Sequence, residues 1–455
     1  MIELFYKIGD FIKMKLNIVE IANAVGGDVI KCDIMDKSEL FGFSTDTRTI
    51  KPDEIYIPLK GENFNGENFI ENAVKAGIAG YFTSDKTKIF NKSKIILYVP
   101  DTKEAYLKLA NYYKQKINPY TIAVTGSSGK TTVKEMMYSV FKNAGKTVKS
   151  ILNHNNEIGL CQTLSSLEET TKYLIVEMGM RGLGEIELLS KYSQPDIGVI
   201  VNCGSAHIGR LGSLENIAKA KFEIAKYIKN EGILIAHDNE LLKQVNDNKH
   251  KTAYFSLKNV NIKEMTPKYS VFIYKGKEYK LNVSGEHNIQ NALAVIEACF
   301  FANLSYEIIS KGLSEFSPIE KRWEVQKISG FNIINDCYNS NPDSVKAALK
   351  TFLELTPSQK TVVLGDMGEL GLNEKEYHIE TGKYLEKFDC DYVLTTGNLA
   401  KYIQPKNIKT IHFDNKQELS EFIKKNLPKG ENILLKASRF MKFEEIIEEL
   451  KNSGI

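Results

Sequence analysis

The sequence predicts an α/β protein of three domains. The centre is a mainly parallel sheet carrying a phosphate-gripping loop, the C-terminal part is a second doubly wound sheet, and the N-terminal part is a smaller α/β unit. Three observations carry this prediction. At ~100–200 residues per domain, the 455 residues of the chain are too many for one ordinary core. From residue 120 onward, apolar strands alternate with helical stretches, which is the pattern of a parallel sheet covered by helices. The strand "YTIAVTG" (120–126) runs directly into Gly126-Ser127-Ser128-Gly129-Lys130-Thr131-Thr132 and then into a helix.

Taken in order, residues 1–13 repeat Leu4, Phe5, Ile8, Phe11 and Ile12 at helical spacing. Glu3, Lys7, Asp10 and Lys13 interrupt them, so no signal-peptide core forms. A short helical extension, or an upstream start before Met14, is expected. Residues 14–118 form the first domain. In it "EIYIPLKG" (54–61) reads as a strand, and "NFIENAVKAGIAGYF" (68–82) as a helix, a stop at Gly77 and a strand. Pro119 marks the next boundary. In the central domain, 119–317, the helix after the loop buries Val133, Met136, Met137, Val140 and Phe141 on one stripe and stops at Gly145. Further buried strands are "YLIVEMG" (173–179), "DIGVIVNCG" (196–204) and "GILIAHD" (232–238). In the last domain, 318–455, the strands are "FNIINDCYN" (331–339), "TVVLGDMG" (361–368), "DYVLTTGN" (391–398), "IKTIHF" (408–413) and "NILLKAS" (432–438).

Composition narrows the class. Apolar residues make up 42% and charged residues 26%, the profile of a globular protein. A net charge of +3 over 60 basic and 57 acidic side chains provides no general attraction to nucleic acid or an anionic membrane. Six cysteines without a C-x-x-C pair fit a reducing cytosol rather than a disulfide framework. No apolar run approaches the ~18 residues of a membrane span. A cytoplasmic protein that neither inserts into membranes nor binds nucleic acid is expected.

The loop is the strongest chemical signal. The common form is G-x-x-x-x-G-K-[ST], which asks for glycine at position 124; Val124 stands there, and the turn starts at Gly126. Glycines let backbone N–H groups close on phosphate oxygens, and the helix N-terminus favours the anion. Lys130 would reach the β- and γ-phosphates and Thr131 would offer a hydroxyl to Mg²⁺. Glu177 ends an apolar strand, where it is either a metal-ligating carboxylate or a solvated strand end. His207 sits in the polar turn of "VNCGSAHIGRLG" (201–212), and Lys221 in an alanine-rich helix where a surface lysine is the plain reading. Asn288 and Asn291, at i and i+3, suit an adenine or ribose edge, with helix capping as the competing explanation for Asn288. Arg322 could clamp a γ-phosphate or simply be a linker arginine, and Asp336 faces the same choice as Glu177. A P-loop motor ATPase or a non-catalytic nucleotide-binding module would carry the same loop.

Several segments together resemble the ATP-dependent Mur ligases of peptidoglycan synthesis along almost the whole chain. They are "TGSSGKTTVKEM" (125–136), "NHNNEIGLCQTL" (153–164), "NDCYNSNPDS" (335–344) and "VLGDMGELG" (363–371). They are similar to the branch that adds D-alanyl-D-alanine to UDP-MurNAc-tripeptide; the D-N-P-R segment of the diaminopimelate-adding branch is missing. The resemblance implies a UDP-precursor-binding first domain, a central ATPase and a Rossmann-like, acceptor-binding last domain, acting as a monomer. It implies that ATP is held by Gly126, Ser127, Ser128, Gly129, Lys130, Thr131, Thr132, Asn288, Asn291, Arg322 and Asp336. It puts Mg²⁺ at Thr131, Glu177 and His207, and makes Lys130, Glu177, His207 and Arg322 the catalytic set. Lys221 aligns with a lysine carbamylated in several relatives, which turns a cation into an anionic metal ligand. Substrate contacts fall on Arg48, Asn63, Asn156, Tyr338, Asn339 and Asn341. Cys337 and Ser340 replace a usual serine and alanine, and Ala437 stands where glycine is common, a departure that bears on the shape of the acceptor site.

Overall fold

The computed structural model describes residues 12–61, 63–89, 93–318 and 321–452. The helix expected for residues 1–13 falls almost wholly on residues 1–11, outside the described residues. Lys13 and Met14 both donate their backbone N–H to Ser165 O, at 2.8 and 2.9 Å, which ties the start of the first domain to the central one.

Six parallel strands form the central sheet, in the spatial order 251–255, 233–237, 197–200, 120–125, 173–177, 147–149. The strand Tyr120–Thr125 enters first and lies in the middle, between Ile197–Ile200 and Tyr173–Glu177. Both its faces are covered. Ile122 and Val124 pack with Val133, Met136, Met137, Val140 and Phe141 of the loop helix, and Ala123 packs with Leu174 and Val176 toward the first domain. The apolar stripe expected of the helix Lys130–Phe141 is therefore real, and all five residues are fully buried. The strand order reverses beside Tyr120–Thr125, and such a switch point opens a crevice beyond the carboxyl ends of the strands.

The last domain repeats the architecture. Its sheet runs 324–328, 331–335, 432–436, 360–364, 392–396, 410–413, parallel apart from the first hairpin. Alternate residues of Lys360–Leu364 face opposite layers. Val362 and Leu364 meet the helix Pro342–Leu355, and Val363 meets helices at 416–426 and 444–451. This is the doubly wound sheet that the strand–helix alternation predicts.

The first domain holds a five-stranded sheet in the order 28–32, 95–98, 80–83, 54–56, 42–44. The expected strand at 54–61 is shorter, Glu54–Tyr56, because Pro58 lacks a ladder donor; the chain pairs again only at Lys60–Gly61. The helix Ile70–Lys75 and the strand Gly80–Thr83 stand where "NFIENAVKAGIAGYF" placed them. An antiparallel sheet of strands 260–265, 270–274 and 277–281, inserted before the helix Glu286–Phe301, is absent from the sequence reading. Its outer strands, Val260–Met265 and Lys277–Leu281, mix lysine and glutamate with apolar residues because one face is solvated, and only the middle strand, Ser270–Tyr274, carries a short apolar run.

Met137 is fully buried between the sheet and the helices around it. Met137→Ala should destabilise the protein by about 2–5 kcal/mol, read as a lowered midpoint in urea or thermal unfolding. A variant that unfolds with the wild type would mean that the helix is not anchored by this stripe.

Candidate active site

Three neighbouring strands release their chains into the switch-point crevice. After Tyr120–Thr125 comes the loop, after Tyr173–Glu177 the turn through Gly179, and after Ile197–Ile200 the segment 201–207. The helix Glu286–Phe301 presents its first turn from one side, and the last domain covers the opening with residues 322–323 and 336–344. Together they enclose a cavity of about 950 Å³. Its wall includes Ser127, Ser128, Gly129, Lys130, Thr131, Thr132, Glu177, His207, Asn288, Asn291, Arg322 and Asp336, so residues spread over more than two hundred positions meet here.

Gly129 stands in the left-handed region, φ +76°, and a Cβ there would lie 2.6 Å from Asn291 Oδ1. Only glycine fits, and the following backbone amides open the helix. Lys130 folds back, donating from Nζ to Gly126 O at 2.8 Å. Burial lowers its pKa, opposed by the Glu177 charge. The Thr131 hydroxyl accepts from Arg322 Nη2 at 3.0 Å, across 191 positions of sequence. The Arg322 guanidinium lies 3.9 Å over the Tyr338 ring, so contacts from both domains hold this cation in place.

Glu177 is buried, which removes the solvated strand end as an explanation. Its Oε1 accepts from Asn155 Nδ2 at 3.0 Å. Its Oε2 is buried without a hydrogen-bond partner, with Lys134 Nζ at 3.5 Å. A hard oxygen without a hydrogen-bond partner, on the same cavity wall as Thr131, fits Mg²⁺, which takes one or two protein oxygens and completes its shell with phosphates and water. No group of three or more His, Cys, Asp or Glu able to hold a metal occurs among the described residues. His207 has φ +65°, and its Nδ1 lies 2.8 Å from Glu369 Oε2 of the last domain.

Lys221 is buried in the helix Leu214–Phe222 and does not line the cavity. Burial, reinforced by the Lys130 charge, pushes its pKa down to about 7, so the surface-lysine reading fails. Asn288 does not cap its helix, since the cap residue is Gly285. Its Nδ2 donates to Ser284 O at 2.7 Å, and its Oδ1 accepts from Asn291 Nδ2 at 3.3 Å. Asp336 pairs through Oδ2 with the buried Lys436 Nζ at 2.6 Å. Beside them His287 is held neutral, its pKa pushed down to about 4 by burial, with its ring edge-on to Trp323 at 6.1 Å.

The substrate candidates divide. Asn156, Tyr338, Asn339 and Asn341 line the cavity. Asn156 and Asn341 also cap helices, accepting from Gly159 N and Ser344 N at 2.9 Å each. Arg48 and Asn63 do not line it. Both are exposed on the first domain, and Arg48 pairs with Asp46 at 2.5 Å. Lys134, Asn155, Glu369 and Lys436 escaped sequence reasoning. For Lys134 a signal existed: it follows Lys130 by four residues, so one helix face carries both ammonium groups. The others show only where distant strands meet.

The family model for the Mur ligase middle domain matches residues 124–299, and that for the Mur ligase, glutamate ligase domain, matches 321–439. UDP-N-acetylmuramoyl-tripeptide--D-alanyl-D-alanine ligase of Bacillus subtilis (strain 168) is 36% identical, over 97% of this chain and 100% of its own length. The protein of the same name from Escherichia coli (strain K12) is 28% identical, over 97% and 99%. Crystal structure I of MurF from Acinetobacter baumannii aligns with a TM-score of 0.88 at 28% identity, over 97% of this chain and 99% of that one. MurF ligase from Thermotoga maritima, crystallised in complex with ADP, aligns with a TM-score of 0.82 at 27% identity, over 90% and 97%. With a loop, a cleft and a whole-length similarity that agree, this chain belongs to the Mur ligase family.

Proposed function

We propose that the chain is an ATP-dependent amide ligase that joins D-alanyl-D-alanine to UDP-N-acetylmuramoyl-tripeptide in peptidoglycan precursor synthesis. The observation that carries this reading is the single cavity walled by both the phosphate loop and the C-terminal segment 336–344. A motor ATPase has no need of a second doubly wound domain over its γ-phosphate, and a scaffold has no need of a bare carboxylate oxygen there. To this reading belong the division into 14–118, 119–317 and 318–455 as precursor, ATP and acceptor domains, and a monomer working in the cytoplasm. No helix among the described residues is long and apolar enough to cross a membrane.

A carboxylate is a poor electrophile and must be activated before an amine can attack it. The terminal carboxylate of the tripeptide attacks the γ-phosphate of ATP, giving an acyl phosphate and ADP. The dipeptide amine adds to the acyl carbon, and the tetrahedral intermediate expels phosphate to leave the amide. The Gly126–Thr132 loop and Lys130 hold the triphosphate, Asn288, Asn291 and Asp336 hold the nucleoside, and Arg322 meets the transferring phosphoryl group from the far side. Asn156, Tyr338, Asn339 and Asn341 are assigned to the peptide ends, and Arg48 and Asn63 to the UDP-muramoyl end. Mg²⁺, held by Thr131, Glu177 and His207, would screen the two anions from each other. With a pKa near 7, Lys221 exists partly as the free amine at neutral pH, and that is the form able to add CO₂ and become an anionic ligand. Closure by the last domain excludes the water that would hydrolyse the acyl phosphate.

Incubation with ATP, Mg²⁺ and UDP-MurNAc-tripeptide should release ADP only when D-alanyl-D-alanine is added, with mass spectrometry showing the tripeptide extended by that dipeptide. ADP release without an acceptor would favour the motor reading. Lys130→Ala should abolish ligation while the unfolding midpoint stays near wild type, and near-normal turnover would refute the assignment of the loop. If Lys221 acts as its carbamate, CO₂-depleted buffer should lower activity, and bicarbonate should restore it. At fixed dissolved CO₂ the restoration should grow as pH rises through about 7, because the free-amine fraction grows with it. An unchanged rate in depleted buffer would remove the carbamate from the mechanism.

A further inference from the structure

The hydrogen bonds around the phosphate loop lead out of the central domain. Asn202, just beyond the strand Ile197–Ile200, turns its carboxamide back onto the loop. Its Oδ1 accepts from Ser127 N and Ser128 N, each at 2.9 Å, and its Nδ2 donates to Ser128 O and Oγ, each at 3.0 Å. Two residues on, Gly204 grips Ser127 Oγ, donating to it from N and accepting from it at O, both at 2.9 Å. Ser205 is then held from the opposite side. Its N–H and its hydroxyl both donate to Asp343 Oδ2, at 2.8 and 2.9 Å. Asp343 lies in the first turn of the helix Pro342–Leu355, in the C-terminal sheet unit. A Cβ on Gly204 would stand 2.4 Å from that same oxygen, so the two parts approach as closely as glycine permits.

We propose that residues 202–205 form a bracket through which the C-terminal part sets the shape of the phosphate loop, with Asn202 and Asp343 as positioning residues for ATP. A loop whose two glycines, Gly126 and Gly129, have two residues between them, where the common form has four, wraps less of its backbone around the phosphates. Bracing two of its amides on a fixed carboxamide pre-orders it, so nucleotide binding spends less on ordering. Because Asp343 closes the bracket only when its helix is seated, seating and nucleotide affinity strengthen each other reciprocally. The plain alternative is that Asp343 merely complements its own helix N-terminus or serves the acceptor pocket. That alternative leaves nucleotide affinity untouched.

The proposal rests on the ligase reading, and the test separates the two. ADP binding to the full-length protein is measured by titration calorimetry, with KM values for ATP and for D-alanyl-D-alanine measured alongside. Asp343→Ala should weaken ADP binding and raise the KM for ATP about tenfold, the weight of one charge-assisted hydrogen bond. The KM for the dipeptide should stay within about twofold, since no acceptor contact is removed. Asp343→Asn, which keeps an acceptor oxygen, should recover most of the loss. Ser205→Ala, at a half-buried position where loss of a hydroxyl is tolerated, should shift ADP binding the same way by less, and it carries the test if Asp343→Ala folds poorly. Wild-type ADP affinity in both alanine variants, or a change confined to the dipeptide KM, would overturn the bracket. A wild-type protein that fails to bind ADP would overturn the ligase reading instead.

Discussion

Everything in the cleft depends on one constraint, the burial of the strand Tyr120–Thr125 on both faces at the centre of a parallel sheet. A parallel sheet exposes its polar chain ends at one edge, and all of its neighbours release theirs at that same edge. The loop, Glu177 and the 201–207 segment therefore arrive together without any local sequence signal linking them. The loop helix can then bury five apolar side chains against the sheet while its N-terminus stays open to the cavity.

Charge gives the cavity its character. Lys130, Lys134, Lys221 and Arg322 converge in or under a space whose only fully sequestered, partly unsatisfied carboxylate is Glu177, among the described residues. Burying that many cations is costly in a dry interior, and the cost shows in the lowered pKa values of Lys130 and Lys221. An arriving triphosphate would relieve this strain, which is the electrostatic reason to read the cleft as a site for a polyanion. Within the protein Lys130 donates to Gly126 O and Arg322 to Thr131 Oγ1.

The last domain is part of the site as well as its lid. Arg322, Tyr338, Asp336, Asp343 and Glu369 reach into, or across to, the central domain from separate turns. Acyl-phosphate chemistry needs this arrangement, because the activated carboxyl must meet an amine before it meets water.

The amino-acid order by itself determined the sheet class, the loop and its helix, since buried parallel strands and an apolar stripe at helical spacing are written locally. It also singled out Glu177 and Asp336 as strand-end carboxylates, and the resemblance in "NDCYNSNPDS" pointed to the ligase. Half-solvated strands such as Lys277–Leu281 stayed hidden, because their alternating charges read as loop. Only the tertiary structure decided between the paired readings. Glu177 is buried and half satisfied, Asn288 is no cap, Arg322 is stacked on Tyr338 and bonded to Thr131, and Lys221 is no surface lysine. It alone revealed Lys134 under Glu177 and Asn202 on the loop. The physical reason is the same in each case. Burial and hydrogen-bond partnership depend on which distant strands become neighbours, and no local stretch of sequence encodes that.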